Sequence, residues 1–288
     1  MPFKKQDPRI SCEDDKMESK QLKIPFIKAQ ALENDFVIIL LQEQDAAFAN
    51  VILSELARTI ANRRIGVGCD QVILVNTFNT TDELYLRFFN SDGSEAEGCG
   101  NGSRAFSLWW MERHVCDAVS FKTKGGIVRG QRAPDDHTLI DLFLPKPIIN
   151  KDIYLGEYQS LSMPDPVMVT IGNPHVVLFV SDDCSAQLLG PLIEWLPQFP
   201  NGINVSFARL TDENNIVLRV WERGAGLTPA CGTGAAAVAV AASVRGLVDV
   251  SKTINVLQVG GSLTITLCDE GLKQRGAASI VFEGVFLF

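Results

Sequence analysis

The chain contains two cysteine-centred segments that match each other at a constant spacing, from position 99 to position 231, and this repeat limits the folds open to it. The first segment, NSDGSEAEGCGNG, spans 90–102, and the second, ERGAGLTPACGTG, spans 222–234. The residues that coincide without a gap are Leu86 with Leu218, Arg87 with Arg219, Cys99 with Cys231, Gly100 with Gly232, Gly102 with Gly234, Ala105 with Ala237 and Arg113 with Arg245. One supersecondary unit is therefore used twice.

Each copy is predicted to fold as a strand, a glycine-rich turn and a helix. Apolar and β-branched residues at 84–89 and 216–221 are typical of strands. The proline-free runs 103–114 and 235–245 indicate helices, and the second is almost entirely alanine and valine, which is typical of a buried helix. Each cysteine then lies at a helix N-terminus, where unpaired N–H groups and the helix dipole are expected to lower the thiol pKa.

The bulk composition excludes several classes of partner. The 288 residues, 46% hydrophobic and 21% charged, are ordinary for a globular protein of one large or two modest domains. A net charge of −8 argues against nucleic acid or an anionic membrane as the main partner. No apolar run is long enough to span a bilayer. We therefore expect a small-molecule substrate.

The seven cysteines are too widely spaced for a CxxC motif, so neither a zinc site nor a CxxC redox pair is expected. They are Cys12, Cys69, Cys99, Cys116, Cys184, Cys231 and Cys268. An odd number of cysteines without a recognisable secretion signal favours a reducing cytoplasm.

Outside the repeat the sequence predicts mainly strands. Residues 1–21 are interpreted as a loose tail, 33–35 and 172–175 as turns between strands, and 185–196 as a helix in two short pieces. Because strands outnumber helices and the halves repeat, we predict an α+β (α/β) fold of two pseudosymmetric halves, each with strands wrapped around a central helix. The expected halves are 22–146 with 275–288 and 147–274, with the active site in the cleft between them.

Two thiols facing one cleft allow three chemistries: a redox disulfide, a cysteine nucleophile with a histidine base, or proton exchange across a substrate. A redox pair is usually close in sequence, and neither cysteine segment contains a histidine, so proton exchange is favoured. In racemisation one base removes a proton and an acid on the opposite face returns one. The N–H groups of Gly100, Asn101, Gly232 and Thr233 would hold the carboxylate of the carbanion, so pyridoxal phosphate is not required.

The two segments resemble the active-site motifs of the diaminopimelate epimerase family, which are cofactor-independent amino-acid epimerases. The similarity extends from about Phe26 to Gly284, through NDF at 34–36, GVGCDQ at 66–71, GNPH at 172–175 and FEG at 282–284. It implies epimerisation of LL-2,6-diaminopimelate to the meso form, a step towards lysine and peptidoglycan. It also implies that Cys99 and Cys231 are the acid/base pair, that no cofactor or metal is used, and that the protein is a homodimer.

The resemblance assigns further roles by position. The implied substrate contacts are Asn34, Gln71, Asn90, Asn101, Asn173, Asn204, Glu222 and Arg223. Glu222 and His175 match positions that tune the thiols. An arginine for a carboxylate, a carboxylate for an ammonium group and amides for both suit a substrate with two amino-acid ends.

The chain departs from the family pattern near Asn34 and before Cys231. The usual HGLGNDF reads QALENDF, with Ala31 and Glu33 at glycine positions, so a displaced Asn34 loop is expected. Leu227 and Pro229 also replace residues often seen before the second cysteine. Two alternatives remain open: a proline-racemase-like enzyme, whose first motif carries histidine where this chain has Asn101, and a non-catalytic amino-acid-binding protein.

Overall fold

The computed structural model describes residues 22–42, 52–77, 83–182 and 186–288, so the predicted tail, Cys12 and Cys184 lie outside the described residues. Within these ranges the chain forms eighteen strands and four α-helices. The strands are β1 (Lys23–Ala31), β2 (Asn34–Gln42), β3 (Gln71–Thr77), β4 (Leu84–Asn90), β5 (Glu95–Ala96), β6 (Ala118–Thr123), β7 (Gly126–Arg132), β8 (Leu139–Leu144), β9 (Ile148–Asn150), β10 (Val167–Ile171), β11 (Asn173–Phe179), β12 (Asn204–Asp212), β13 (Asn215–Glu222), β14 (Gly226–Thr228), β15 (Ile254–Gln258), β16 (Gly261–Cys268), β17 (Gly271–Ala277) and β18 (Ser279–Leu287). The helices are α1 (Leu53–Ala61), α2 (Gly100–His114), α3 (Ala186–Glu194) and α4 (Gly232–Val244).

The two halves repeat the same order of elements. In the first, β1, β2, α1, β3, β4, β5, α2, β6, β7 and β8 follow one another, and β10 to β17 with α3 and α4 give the same series in the second. In each half the second and third strands are parallel, β2 with β3 and β11 with β12. The predicted pseudosymmetric fold is confirmed.

The halves are joined through their edges. β8 pairs with β17, β9 pairs with β10, and the last strand, β18, returns to pair with β1. The predicted boundary between residues 274 and 275 therefore falls inside β17, a strand that is hydrogen-bonded to β16 on one side and to β8 on the other.

Each half buries one helix among its strands. α4 packs against β10, β11, β12, β13, β15 and β16, and α2 packs against β1, β2, β6, β7, β8 and β18. The small side chains of α4 are buried on every face, because a helix enclosed by sheet has no side for polar residues. The helices α1 and α3 cover the outer faces of the sheets with two further apolar clusters, around Leu56 and Ile60 and around Ile193. This arrangement places the starts of α2 and α4 between the halves.

Three local predictions differ from the structure. The turn before Asn34 consists of Leu32 and Glu33, both with positive φ (55° and 64°), so the chain makes a two-residue hairpin turn and Asn34 begins β2. At the second turn only Gly172 leaves the ladder, since Ile171 already pairs with Asn173.

The third difference is α3, which is one continuous helix with Pro191 inside it. Tertiary packing overrides the helix-breaking tendency of Gly190 and Pro191. Because Gly190 has no side chain, the helix can approach the Trp221 ring, from which a Cβ at this position would lie only 2.4 Å away. The helix lies directly on the indole, and this contact compensates for the hydrogen bond that proline removes.

Candidate active site

Both cysteines are N-cap residues, as the repeat predicts. Cys99 precedes α2 with φ −146° and ψ 117°, and its Sγ accepts a hydrogen bond from the N–H of Gly102 at 3.3 Å. Cys231 precedes α4 with φ −129° and ψ 115°, and its Sγ accepts from the N–H of Gly234 at 3.4 Å. The duplicated sequence therefore produces two thiols in the same backbone setting.

The first residues of the two helices touch across the interface between the halves. A Cβ added to Gly232 would lie 3.1 Å from Gly100 Cα and 3.2 Å from the backbone nitrogen of Asn101, so any side chain here would force the helix starts apart by a few tenths of an ångström. The N–H groups of Gly100, Gly232 and Thr233 have no acceptor within the described part of the chain. Two positive helix ends thus converge on one place.

Cys231 is buried and is linked to His175 through a hydroxyl group. Its Sγ lies 3.5 Å from Thr233 Oγ1, which lies 2.9 Å from His175 Nε2. His175 Nδ1 lies 3.1 Å from Ser206 Oγ, so both ring nitrogens have partners. Burial lowers the pKa of His175 to about 3, and the positive charge of Arg223 contributes in the same direction. His175 is therefore a neutral imidazole at physiological pH.

Glu222 is a second group that acts on the Cys231 thiol. Its Oε1 accepts a hydrogen bond from Thr228 Oγ1 at 2.6 Å, and its carboxyl group is hydrogen-bonded to the side chain of Cys231. Burial raises the pKa of Glu222 above its ordinary value, although these hydrogen bonds oppose the shift. A carboxyl group with a raised pKa beside a thiol can accept or return its proton.

The expectation of low thiol pKa values is wrong in this structure. Burial raises the pKa of Cys99 to about 12, and it raises that of Cys231 well above 9.0, with Glu222 adding to both shifts. The helix N-termini act in the predicted direction through the N–H groups of Gly102 and Gly234, but desolvation is the larger effect. Both thiols are therefore protonated before a substrate enters.

Asn34 remains next to Cys99 despite the altered loop. The Cys99 thiol donates to Asn34 Oδ1 at 3.9 Å, and Asn101 Nδ2 approaches the same oxygen at 3.5 Å. Asn34 Nδ2 in turn donates to Asp70 Oδ2 at 2.8 Å. Leu32 and Glu33 adopt the left-handed backbone that glycine would otherwise supply, and Asn34 directly follows them at the start of β2.

An ion-pair cluster fixes the base of this loop. Arg63 pairs with both Asp35 and Asp70, at 2.7 and 2.8 Å, and Lys28 reaches Asp35 at 2.6 Å. Burial alone would raise the pKa of Asp35, but hydrogen bonds from Arg63 and Lys28 hold it well below its usual range. The Asp35 carboxylate at the base of this loop is thus ionised at physiological pH.

The predicted amide side chains of Gln71, Asn90 and Asn173 form hydrogen bonds within the chain. Gln71 Nε2 donates to Asn90 Oδ1 at 2.8 Å across β3 and β4, which leaves the buried Gln71 Oε1 without a partner among the described residues. Asn173 Nδ2 donates to the carbonyl of Gly98 at 3.0 Å, directly before Cys99. The structure gives neither Gln71 nor Asn90 a direct contact with a cysteine.

Asn204 fixes the backbone of Arg223. Its Nδ2 donates to the carbonyl of Pro174 at 2.8 Å, and its Oδ1 accepts from the Arg223 N–H at 2.9 Å. The half-buried Arg223 side chain packs on Gly202 and approaches the carbonyl of Asn201 at 3.4 Å. No carboxylate of the described residues forms an ion pair with Arg223, so its guanidinium is available to an anionic ligand.

A cavity reaches the thiol region from the interface between the halves. It is lined by Gly98, Cys99, Gly100, Ser103, Thr123, Gly125, Val128, Leu144, Pro145, Ile171, Gly172 and Thr233. Elements of both halves contribute to this wall, so the cleft predicted between them is present. Among the described residues there is no cluster of histidine, cysteine or acidic side chains suited to a metal ion, and no helix there is long and apolar enough to cross a membrane.

Sequence reasoning missed three buried side chains that organise the site. Gln258 Oε1 accepts the N–H of Cys231 at 2.7 Å, and Gln274 Nε2 donates to the carbonyl of Gly232 at 2.7 Å. Arg104 is fully buried and donates to Gln274 Oε1 at 2.6 Å. Only Arg104 carried a local signal, as a charged residue directly before the mostly apolar stretch 105–111 of its helix. The glutamines reach the site through long-range pairing of strands.

Comparison with known proteins places this site in a family. The diaminopimelate epimerase family model matches residues 26–142 and 167–281. A protein named diaminopimelate epimerase from Erythrobacter litoralis is 38% identical over 275 residues, covering 92% of this chain and 98% of the relative. One of the same name from Caulobacter vibrioides is 40% identical over 261 residues, covering 83% and 88%.

Solved structures with low sequence identity share the fold. A phenazine biosynthesis protein of the PhzF family from Bacillus anthracis has a TM-score of 0.67 at 20% identity, covering 93% of this chain and 100% of that one. A probable proline racemase from Agrobacterium radiobacter has a TM-score of 0.68 at 14% identity, covering 91% and 92%. The family model and the relatives that match almost end to end are decisive: the chain belongs to the diaminopimelate epimerase family.

Proposed function

We propose that this protein epimerises LL-2,6-diaminopimelate to meso-diaminopimelate, with Cys99 and Cys231 exchanging the α-proton on opposite faces of the carbon. The observation that carries the proposal is the contact between Gly100 and Gly232, which brings together two cysteine-capped helices of similar local geometry, one from each half. Two similar groups on opposing sides are what inversion of a stereocentre requires.

The proton is transferred in two steps that share one intermediate. A thiolate removes the α-proton, and the electron pair of the C–H bond moves into the adjacent carboxylate. The thiol on the opposite side then gives its proton to the α-carbon, so one thiol and one thiolate exchange places. Because the helix N–H groups stabilise the doubly charged carboxylate, the reaction proceeds without pyridoxal phosphate or a metal.

The thiolate forms as the substrate binds. Glu222, which touches Cys231, accepts the thiol proton, and the neutral His175 orients Thr233 beside the same sulfur. The unreactive end of the substrate is bound by Arg223, with Asn204, Asn173, Asn90 and Gln71 as amide partners. A bidentate guanidinium contact to the distal carboxylate restricts reaction to one of the two stereocentres.

Asn101 distinguishes this proposal from the proline-racemase-like alternative. That family carries histidine at the position after Cys-Gly, whereas here Asn101 is buried and contacts Asn34 and the carbonyl of Ala230. A non-catalytic binding protein is disfavoured by the presence of two free cysteines that cap the two helix starts.

The test is to incubate the protein with LL-diaminopimelate in deuterium oxide and to follow both the meso product and the α-proton signal. We expect conversion accompanied by deuterium at the α-carbon. L-Proline serves as the matched control and should show neither change. Exchange on proline alone would favour the alternative, and exchange on neither substrate would contradict catalysis of this class.

Two further features belong to the proposal. We assign 22–146 with 275–288 to one half and 147–274 to the other, and we propose a cytoplasmic homodimer. An exposed apolar strip on one face of β18, formed by Val281, Val285 and Leu287, supports the homodimer, because such a strip is typical of an interface. Sedimentation of Val285→Glu beside the unaltered protein tests it: a dimer that persists in the variant would exclude this strip.

A further inference from the structure

Arg104 is a fully buried arginine without a carboxylate partner. It lies in the first turns of α2 and has no exposed surface. No ion pair joins it to any acidic residue in the part of the chain that the structure describes, and its Nε has no hydrogen-bond acceptor there. Burial lowers the pKa of Arg104 to about 10, so the guanidinium still carries its charge at physiological pH. A buried charge is costly unless an opposite charge compensates it.

Two amide side chains hold this guanidinium and connect it to the opposite half. Nη1 donates to Gln274 Oε1 at 2.6 Å, and Nη2 donates to Asn101 Oδ1. Gln274 Nε2 in turn donates to the carbonyl of Gly232 at 2.7 Å, and Asn101 Nδ2 donates to the carbonyl of Ala230 at 3.3 Å. Because the oxygens of both amides face the arginine, their NH₂ groups must face the backbone on either side of Cys231.

We propose that Arg104 supplies a permanent positive charge to the site. It is a positioning residue that stabilises negative charge on Cys99 and at the two helix starts. The location supports this role: Gln274 Oε1, bound to the guanidinium, would lie 3.1 Å from a Cβ on Gly100, at the start of α2. The missing counter-charge is then the thiolate and the substrate carboxylate. This inference rests on the proposed function for the carboxylate but not for the thiolate.

The charges around Cys99 act in opposite directions. Arg104 favours the thiolate, whereas the carboxylate of Glu222 disfavours it. Removing the guanidinium charge should therefore leave Glu222 and desolvation unopposed, and the thiolate fraction of Cys99 should fall. If Arg104 had only a structural role, any variant that keeps the shape of the hydrogen-bond network would leave the thiolate fraction of Cys99 unchanged.

Gln274 offers a pair of variants that separates charge from shape. Gln274→Glu keeps an acceptor for Arg104 Nη1 but places a negative charge against the guanidinium. Gln274→Met, of similar length, removes both hydrogen bonds of Gln274 without adding charge. Alkylation by iodoacetamide, mapped by mass spectrometry in the empty full-length protein at about pH 8, reports the thiolate fraction of each cysteine. The exposed Cys268 is an internal control for the reagent.

We expect alkylation of Cys99 to slow about tenfold in Gln274→Glu and in Arg104→Met, which corresponds to about one pKa unit, while Gln274→Met stays within about twofold of the unaltered protein. Equal rates in the two Gln274 variants would overturn the proposal, as would an unchanged rate in a folded Arg104→Met. If Arg104→Met does not fold, the Gln274 pair decides alone. The readout needs no substrate, so it stands whether or not diaminopimelate is epimerised.

Discussion

Gly100 and Gly232 lie in van der Waals contact although 132 positions separate them, and each directly follows a cysteine that caps a helix. This contact sets the distance between the two thiols, because each sulfur is fixed to its own helix start by an N–H group. The spacing of the two thiols therefore depends on the absence of two side chains. Small changes in this spacing should matter, since misplacing a reacting group by about 1 Å can reduce catalysis about a hundredfold.

Gly232→Ala should separate the helix starts. The added methyl group would lie 3.1 Å from Gly100 Cα, and we expect kcat/KM for LL-diaminopimelate to fall about a hundredfold with little change in Tm. Gly98→Ala is the matched control, because its nearest neighbour, Thr123 Oγ1, would be 3.8 Å away. Equal activity in the two variants would show that the contact does not control the chemistry.

Arg223→Lys should weaken recognition of the distal carboxylate. Lysine keeps the charge but loses the planar fork, and we expect a cost of about 2 kcal/mol in transition-state binding, measured as kcat/KM. Arg129→Lys, at an exposed position of β7, is the control and should be neutral. An unchanged kcat/KM in Arg223→Lys would remove this residue from the site and weaken the case for a substrate with two amino-acid ends.

The buried His175 should make stability depend on pH. Its pKa falls from 6.5 to about 3 on folding, so between these values the unfolded chain binds a proton that the folded protein does not. Stability should therefore decrease as the pH falls through this window, by up to about 1.4 kcal/mol per pH unit from this group.

The comparison of urea midpoints for the unaltered protein and His175→Asn at about pH 7 and pH 5 tests this assignment. The stability advantage of the histidine should shrink at the lower pH, whereas His137→Asn, at an exposed position, should leave the slope unchanged. A constant difference between the unaltered protein and His175→Asn would mean that the imidazole becomes protonated in the folded state.

The repeat made the cysteine-capped helices predictable, because strand, glycine turn and apolar helix are local patterns. The turn at Leu32 and Glu33 was not, since neither residue favours a left-handed backbone and only the pairing of β1 with β2 imposes it. The pKa values of the thiols depend on how deeply the halves enclose them, which local sequence does not encode. The position of Gln274 was also not predictable, because this residue reaches the site through the long-range pairing of β17 with β8.

The two cysteines should each be indispensable for inversion. Neither Cys99→Ala nor Cys231→Ala should convert LL-diaminopimelate at a measurable rate, because each lacks the proton carrier on one face of the α-carbon. Serine should be little better, since a hydroxyl group is far less acidic than a thiol. Circular dichroism controls for folding, and a near-normal rate in either alanine variant would contradict a two-base reaction.

The isotope content of the first product tests the central claim most directly. The reaction of LL-diaminopimelate in deuterium oxide is stopped at a few per cent conversion, and product and remaining substrate are analysed by mass spectrometry. With two thiols on opposite faces, the meso product should carry one solvent deuterium while the recovered LL substrate keeps its α-proton. Meso product that retains the original proton, or deuterium in the recovered LL substrate at the same level as in the product, would show that a single base serves both faces.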